Sequence, residues 1–219
     1  MPSWFDDEVA ALQSRNRHRS ATDRLVLFYG SSTFTLWNDI GEHFPGRNIV
    51  NHGFGGATLA DCLEYFDRLV KPMEPCAVIL YAGDNDLDQG TTPEAVRSMV
   101  GRFIERKRAS LGGIPLAYLS IKVSPARLHF MHRIGYTNLI VERALQGEPD
   151  IRFVDITRRM VGRGLIAWQG YYDSDPLHMN GAGYRLWGQS LRESLDAMIG
   201  GETDPRGGGV PGPRLPNVA

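Results

Sequence analysis

The 219-residue sequence has few of the features that mark several protein classes. Its two cysteines, Cys62 and Cys76, form no CxxC pair, so neither a disulfide framework nor a structural zinc site is expected. Its longest apolar run, Cys76 to Ala82, is seven residues, whereas a membrane-spanning helix needs roughly 20. The 24 basic and 25 acidic residues nearly cancel, which argues against nucleic-acid partners and against anionic membranes as partners.

The N-terminus also lacks a secretory signal. It reads MPSWFDDEVA, with acidic residues where a signal peptide carries basic ones, and no apolar segment follows. These absences predict a soluble, cytoplasmic protein with one folded domain at residues 1–199, in which residues 1–20 form a docked helical leader. Residues 200–219 contain six Gly and four Pro. Such a segment buries too little apolar surface to offset its ordering entropy, so it is predicted to be a flexible tail.

Short apolar runs alternate with amphipathic segments along the rest of the chain. The predicted strands are Leu25–Tyr29, Ile49–Val50, Ala77–Tyr81, Pro115–Ile121 and Ile151–Asp155. Helices are predicted over residues 58–70, 92–111 and 126–146, with a last helix after residue 180. Alternation of strands and helices predicts an open parallel sheet with helices on both faces.

The predicted helices begin at residues with capping character. Thr58 and Asp61 have the spacing of a capping box. Thr92 is suited to the N-cap position, with Pro93 at the first helical position, and Asn180 is suited to cap the last helix.

Ligands of open parallel sheets bind at the carboxyl ends of the strands. The segments that follow the five strands here are Gly30–Thr33, Asn51–Thr58, Gly83–Asp86, Lys122–Pro125 and Asp173–His178. They bring a serine hydroxyl, a glycine loop, a carboxamide and an Asp–His pair to one edge. These are the parts of an acyl-transfer site: a nucleophile, an imidazole base with its carboxylate, and donors for an oxyanion.

Four of these segments resemble the motif blocks of the SGNH (GDSL-type) hydrolase family. The blocks are Gly30-Ser31-Ser32, Asn51–Thr58, Gly83–Asp86 and Asp175–His178, and they occur in the family's order. The resemblance implies that Ser32 is the nucleophile, His178 the base and Asp175 its orienting carboxylate. It implies further that the Ser32 amide, Gly56 and Asn85 form the oxyanion hole. The fold expected is a three-layer α/β/α, flavodoxin-like domain whose five parallel strands have the order 2-1-3-4-5.

One block departs from the family pattern. The usual GDS is GSS here, so Ser31 stands in place of an aspartate that is not a triad member. Two adjacent serines leave open which of them attacks, and the alignment favours Ser32. Asp173 is an alternative carboxylate for His178, although a five-residue spacing is less convenient than three.

Several other residues have more ordinary interpretations. His52, beside the glycine loop, is expected to be structural or to line the substrate site. His129 and His132, with Arg127 and Arg133 nearby, are expected on a solvated face because no third metal ligand is evident. The remaining undecided residues are Lys122 and Ser124, whose role stays open, and the aromatic residues Trp168, Tyr171 and Tyr172, which are either core or pocket wall.

The sequence therefore predicts a serine hydrolase that cleaves short-chain carboxylic esters through an acyl-enzyme, since no long insertion is present to build a lid. It needs no cofactor and no metal. Alternatives are a carbohydrate O-acetyl esterase, a thioesterase or lysophospholipase, and, from another class, a catalytically silent ligand-binding module. The expected partner is a small-molecule ester, without membrane insertion, and the oligomeric state stays open.

Overall fold

A computed structural model describes residues 5–16, 24–162 and 169–200. The strands are β1 (Leu25–Gly30), β2 (Asn48–Gly53), β3 (Ala77–Tyr81), β4 (Leu116–Leu119) and β5 (Ile151–Val154). They form a parallel sheet in the order β2-β1-β3-β4-β5. Flanking helices complete an α/β/α architecture, which confirms the predicted fold class and strand order.

Nine α-helices lie in the described part of the chain. They are α1 (Asp6–Asn16), α2 (Ser32–Thr35), α3 (Leu59–Glu64), α4 (Phe66–Leu69), α5 (Asp84–Asp88), α6 (Pro93–Leu111), α7 (Met131–Leu145), α8 (Thr157–Met160) and α9 (Gly181–Ile199). Short 3₁₀ helices occur at Ile40–His43, Lys71–Met73, Pro125–Phe130 and Gln169–Tyr171. Of the helices in residues 5–16, 24–162 and 169–200, none is long and apolar enough to cross a membrane.

The core lies on the central strands of the sheet. Every residue of β1, β3 and β4 is buried, as the continuous apolar runs of these strands predict for strands covered on both faces. The edge strands β2 and β5 are partly exposed. On α9, Trp187 packs edge-on against Phe34 and Tyr81, so the last helix covers the end of the sheet from which α2 begins.

All three predicted helix starts are confirmed. Thr58 and Asp61 form a reciprocal capping box at α3. The Thr92 hydroxyl accepts the Ala95 N–H at the start of α6, and Asn180 caps α9. Within the predicted leader segment, α1 packs on the protein by burying Phe5, Val9 and Leu12. The predicted tail from residue 201 onward lies outside the described residues.

Two predicted helices are wrong in detail. The helix expected over 58–70 is interrupted at Tyr65, whose ring packs edge-on against Phe5 and Phe54. The helix expected over 126–146 begins with a 3₁₀ segment, in which Arg127 has the non-helical dihedrals φ −111° and ψ 18°. In both places tertiary contacts outweigh local helix propensity.

Candidate active site

The turn between β1 and α2 fixes the position of Ser32. Gly30 ends β1 with φ +147°, and a Cβ at this position would lie 1.9 Å from the Tyr81 carbonyl oxygen. Only glycine is compatible with both the dihedral and the close approach. The Ser31 N–H then donates to the Tyr81 carbonyl at 3.1 Å, and Ser32 begins α2. The backbone therefore turns sharply at the carboxyl end of β1.

A chain of hydrogen bonds joins Ser32 to two residues of the loop before α9. The Ser32 Oγ lies 3.1 Å from Nε2 of His178, and Nδ1 of His178 is hydrogen-bonded to Oδ2 of Asp175. The Leu177 N–H donates to the other Asp175 oxygen at 2.8 Å. The hydrogen bond from His178, followed by that from Leu177, lowers the pKa of the Asp175 carboxyl below its ordinary value. An imidazole held in this way is arranged to take a proton from the serine hydroxyl.

The geometry distinguishes Ser32 from Ser31 as the candidate nucleophile and Asp175 from Asp173 as the partner of His178. Ser31 is only 1% exposed, and its hydroxyl has no hydrogen-bond partner among the described residues. Asp173 is exposed, and the contact to His178 Nδ1 comes from Asp175. The structure thus brings Ser32, His178 and Asp175 together, and it joins neither Ser31 nor Asp173 to the imidazole.

The proposed oxyanion donors come from three different elements. Gly56 lies in the loop between β2 and α3 and adopts φ +74°, a conformation that favours glycine. In the part of the chain that the structure describes, the N–H groups of Ser32 and Gly56 have no acceptor. Asn85, in the first turn of α5, donates from Nδ2 to the Ala57 carbonyl at 3.0 Å. This bond links the carboxamide to the glycine loop, and the two backbone N–H groups are left available for an anionic oxygen.

Two carboxylates that the sequence analysis missed hold the glycine loop. Glu8 of α1 accepts the Gly55 N–H through both oxygens, at 3.1 and 3.0 Å. Asp86 of α5 accepts the Leu59 N–H, also through both oxygens at 3.1 Å. Burial raises the pKa of Asp86 to about 6, although its backbone hydrogen bonds act in the opposite direction. Both contacts join distant segments. Asp86 lies in the motif block Gly83–Asp86, whereas no local pattern marks Glu8.

A buried ionic cluster lies directly next to Asn85 in sequence and in space. Asp84 is 4% exposed and pairs with Arg127 Nη1 at 2.9 Å and with Lys122 Nζ at 3.5 Å. Burial alone would raise the pKa of Asp84, but the charges of Lys122 and Arg127 hold it below its ordinary value. Burial also lowers the pKa of Lys122, against the attraction of Asp84.

The cluster corrects one expectation. His129 and His132 are exposed as predicted, but Arg127 does not share their solvated face, because it is 6% exposed and paired with Asp84. The sequence feature that indicates a buried cation is Asp84 itself, because a carboxylate buried at the end of a fully buried strand requires a cation partner. In the described segments no group of three metal-ligating side chains occurs.

The remaining candidates have structural contacts. His52 is buried and donates from Nδ1 to the Leu69 carbonyl at 2.7 Å. The buried Tyr172 donates its hydroxyl to the Val123 carbonyl at 2.9 Å and pairs with Met179 in a β-bridge, which closes the Asp–His loop at its base. Tyr171 is half-buried, and Trp168 lies outside the described residues.

The chain is similar to known proteins in sequence and in fold. The model of the GDSL-like lipase/acylhydrolase family matches residues 21–186. Similar solved structures include a GDSL-like lipase from Bacteroides thetaiotaomicron (19% identity, TM-score 0.76, 88% of this chain and 98% of that chain covered). A lipase/acylhydrolase from Enterococcus faecalis has 18% identity and a TM-score of 0.67, with 80% and 96% covered. An acetyl-xylooligosaccharide esterase from Geobacillus Stearmophilus has 12% identity and a TM-score of 0.64, with 80% and 94% covered. No curated protein matches the sequence.

Proposed function

The chain belongs to the GDSL-like lipase/acylhydrolase family, and from this membership we propose that it is a serine esterase that hydrolyses short-chain carboxylic esters. The observation that carries the proposal is the hydrogen-bond chain from Ser32 Oγ through His178 to Asp175. A serine with only a capping role does not need an imidazole at 3.1 Å, nor a carboxylate behind that imidazole.

The proposed reaction has two halves. Ser32 Oγ attacks the ester carbonyl carbon while His178 Nε2 takes the hydroxyl proton, and the tetrahedral intermediate collapses when His178 returns that proton to the leaving alcohol. A water molecule then attacks the acyl-enzyme, gives its proton to His178, and the carboxylic acid leaves as the proton returns to Ser32. Asp175 accepts the Nδ1–H throughout, which fixes the tautomer and stabilises the imidazolium.

The developing negative charge is assigned to three donors. These are the N–H groups of Ser32 and Gly56 and the carboxamide of Asn85. Support comes from the two backbone N–H groups, which lack acceptors among the described residues, and from the bond that ties Asn85 to the glycine loop. In other hydrolases each such donor stabilises the transition state by about 3 kcal/mol.

The proposed preference for short acyl chains rests on an open site. The side chain of Asp175 is 53% exposed and that of His178 is 24% exposed, so the reacting groups lie close to solvent. The strand-to-helix turn before α2 and the Asp175–His178 loop are both short. We therefore expect faster hydrolysis of acetyl and butyryl p-nitrophenyl esters than of the palmitoyl ester. A preference for palmitoyl would overturn the substrate proposal and leave the serine mechanism intact.

The nucleophile is tested with a matched pair of variants. Ser32→Ala should lower kcat by about 10⁴-fold or more. Ser31→Ala should retain most activity, because this buried hydroxyl has no hydrogen-bond partner among the described residues. Mass spectrometry after treatment with a fluorophosphonate should locate the adduct on Ser32. An adduct on Ser31, or loss of activity only in Ser31→Ala, would refute the assignment. Wild-type protein that neither reacts with the probe nor hydrolyses any ester would favour the silent binding module.

A further inference from the structure

Arg127 connects the ionic cluster to the carboxamide of Asn85. Its Nη2 donates to Asn85 Oδ1 at 2.8 Å, while Nη1 pairs with Asp84 at 2.9 Å. A further contact joins Nη2 to Asp88 at 3.3 Å. Arg127 is 6% exposed and therefore has little access to solvent. Its Nη1 faces the Asp84 carboxylate, and its Nη2 contacts both the Asn85 amide and Asp88.

This contact, together with the one to the Ala57 carbonyl, fixes which way the Asn85 amide faces. A guanidinium only donates hydrogen bonds, so the amide group that faces it must be the oxygen. The amide nitrogen consequently faces the other way and donates one of its two N–H bonds to the Ala57 carbonyl at 3.0 Å. The second N–H has no acceptor within the described residues. A reversed amide would place its NH2 group against the guanidinium and its oxygen against the Ala57 carbonyl. That oxygen would also face a developing oxyanion and repel its negative charge.

The backbone explains how an arginine reaches this position. The 3₁₀ segment Pro125–Phe130 follows β4, and its non-helical residue is Arg127 itself. The neighbouring Ala126 N–H donates to the Pro176 carbonyl at 3.1 Å. The segment is thereby attached to the loop that carries Asp175 and His178, and Arg127 extends from it toward Asn85.

We infer that Arg127 is a positioning residue that orients the Asn85 carboxamide so that its free N–H serves the oxyanion. This inference rests on the proposed function. Arg127 acts through Asn85 and makes no contact with the reacting atoms. Its removal should lower kcat and leave KM nearly unchanged, because an oxyanion donor acts on the transition state more than on the bound ester.

The test is a double-mutant cycle on p-nitrophenyl butyrate with Arg127→Lys, Asn85→Ala and the double variant. Lysine keeps the charge beside Asp84, but a single ammonium does not span Asp84 and Asn85 together. Asn85→Ala should lower kcat by about 10²-fold, and Arg127→Lys by between about 10-fold and that value. On the Asn85→Ala background, Arg127→Lys should change kcat by less than about twofold, because its effect passes through the amide.

Multiplicative losses in the double variant, or an Arg127→Lys effect confined to KM, would overturn the inference. The matched control is Arg133→Lys, since this half-buried arginine donates to the Thr91 carbonyl and does not contact Asn85. Circular dichroism verifies folding, and Arg127→Gln replaces Arg127→Lys in the cycle if the latter does not fold. Full activity of Ser32→Ala would defeat the proposed function itself. A dead Ser32→Ala with a multiplicative cycle would defeat only the role of Arg127.

Discussion

The Asp86 carboxylate at the base of the glycine loop gives the fold a pH dependence of unusual sign. Its side chain is 1% exposed and accepts the Leu59 N–H, and burial raises its pKa from 3.8 to about 6. Since the folded state holds the proton more tightly than the unfolded chain, the neutral carboxyl favours folding. The contribution of the neutral Asp86 carboxyl to the free energy of unfolding is fully present below pH 3.8 and is lost as the pH rises through about 6.

The magnitude follows from the shift. A displacement of about 2 pKa units, at about 1.4 kcal/mol for each unit, corresponds to about 3 kcal/mol in total. About 2 kcal/mol of this is lost between roughly pH 4.5 and pH 8. Asp86→Asn keeps an oxygen to accept the Leu59 N–H but does not titrate. We therefore expect the free energy of unfolding of Asp86→Asn to rise relative to wild type by about 2 kcal/mol over that range.

Urea unfolding at several pH values from 4.5 to 8 measures this difference. Groups with lowered pKa values, such as Asp84 and Asp175, are present in both proteins, so their contributions cancel in the comparison. Asp7→Asn, at an exposed position of α1, controls for the loss of one carboxyl group. Parallel stability curves for wild type and Asp86→Asn would refute the reasoning, as would a variant that loses stability relative to wild type as the pH rises.

Two further predictions concern the packing that supports the site. Gly30→Ala should destabilise the protein by more than about 3 kcal/mol in thermal unfolding, because its Cβ would collide with the Tyr81 carbonyl. Gly41→Ala, whose Cβ meets nothing within 4 Å, should change the stability by less than about 1 kcal/mol, and equal losses would contradict the steric argument. Leu191→Ala, at a fully buried position of α9, should lower the free energy of unfolding in urea by about 2 to 5 kcal/mol. Leu139 is 41% exposed, so the control Leu139→Ala should lower it by less than about 1 kcal/mol.

Features carried by local patterns could be predicted from the sequence. β3 has the predicted bounds because Ala77–Tyr81 is uniformly apolar and lies in the middle of the sheet, covered on both faces. Asp175 and His178 are three residues apart, so a single loop brings both side chains together. Ser32 was separable from Ser31 only by alignment, and the structure adds a physical reason: the turn after Gly30 buries one hydroxyl and directs the other to His178.

The charged side chains around the site could not be predicted in the same way. The sequence places Arg127 near His129 and His132 on a solvated face, because no third metal ligand is evident and the local charge is positive. Its partners Asn85 and Asp84 lie more than 40 residues away in sequence, and the residues around Arg127 do not indicate them. The cluster is buried because its cations and carboxylates compensate one another. The exposure preferences of single residues do not predict such compensation between side chains that are distant in sequence.

The family match and the site have different boundaries. The match covers residues 21–186 and therefore excludes α1 and most of α9. Yet Glu8 of α1 binds the Gly55 N–H, Phe5 packs edge-on against Phe54 of the same loop, and Leu191 of α9 is fully buried. The residues of the matched region specify a class of reaction, whereas the geometry of the glycine loop also depends on a helix outside it.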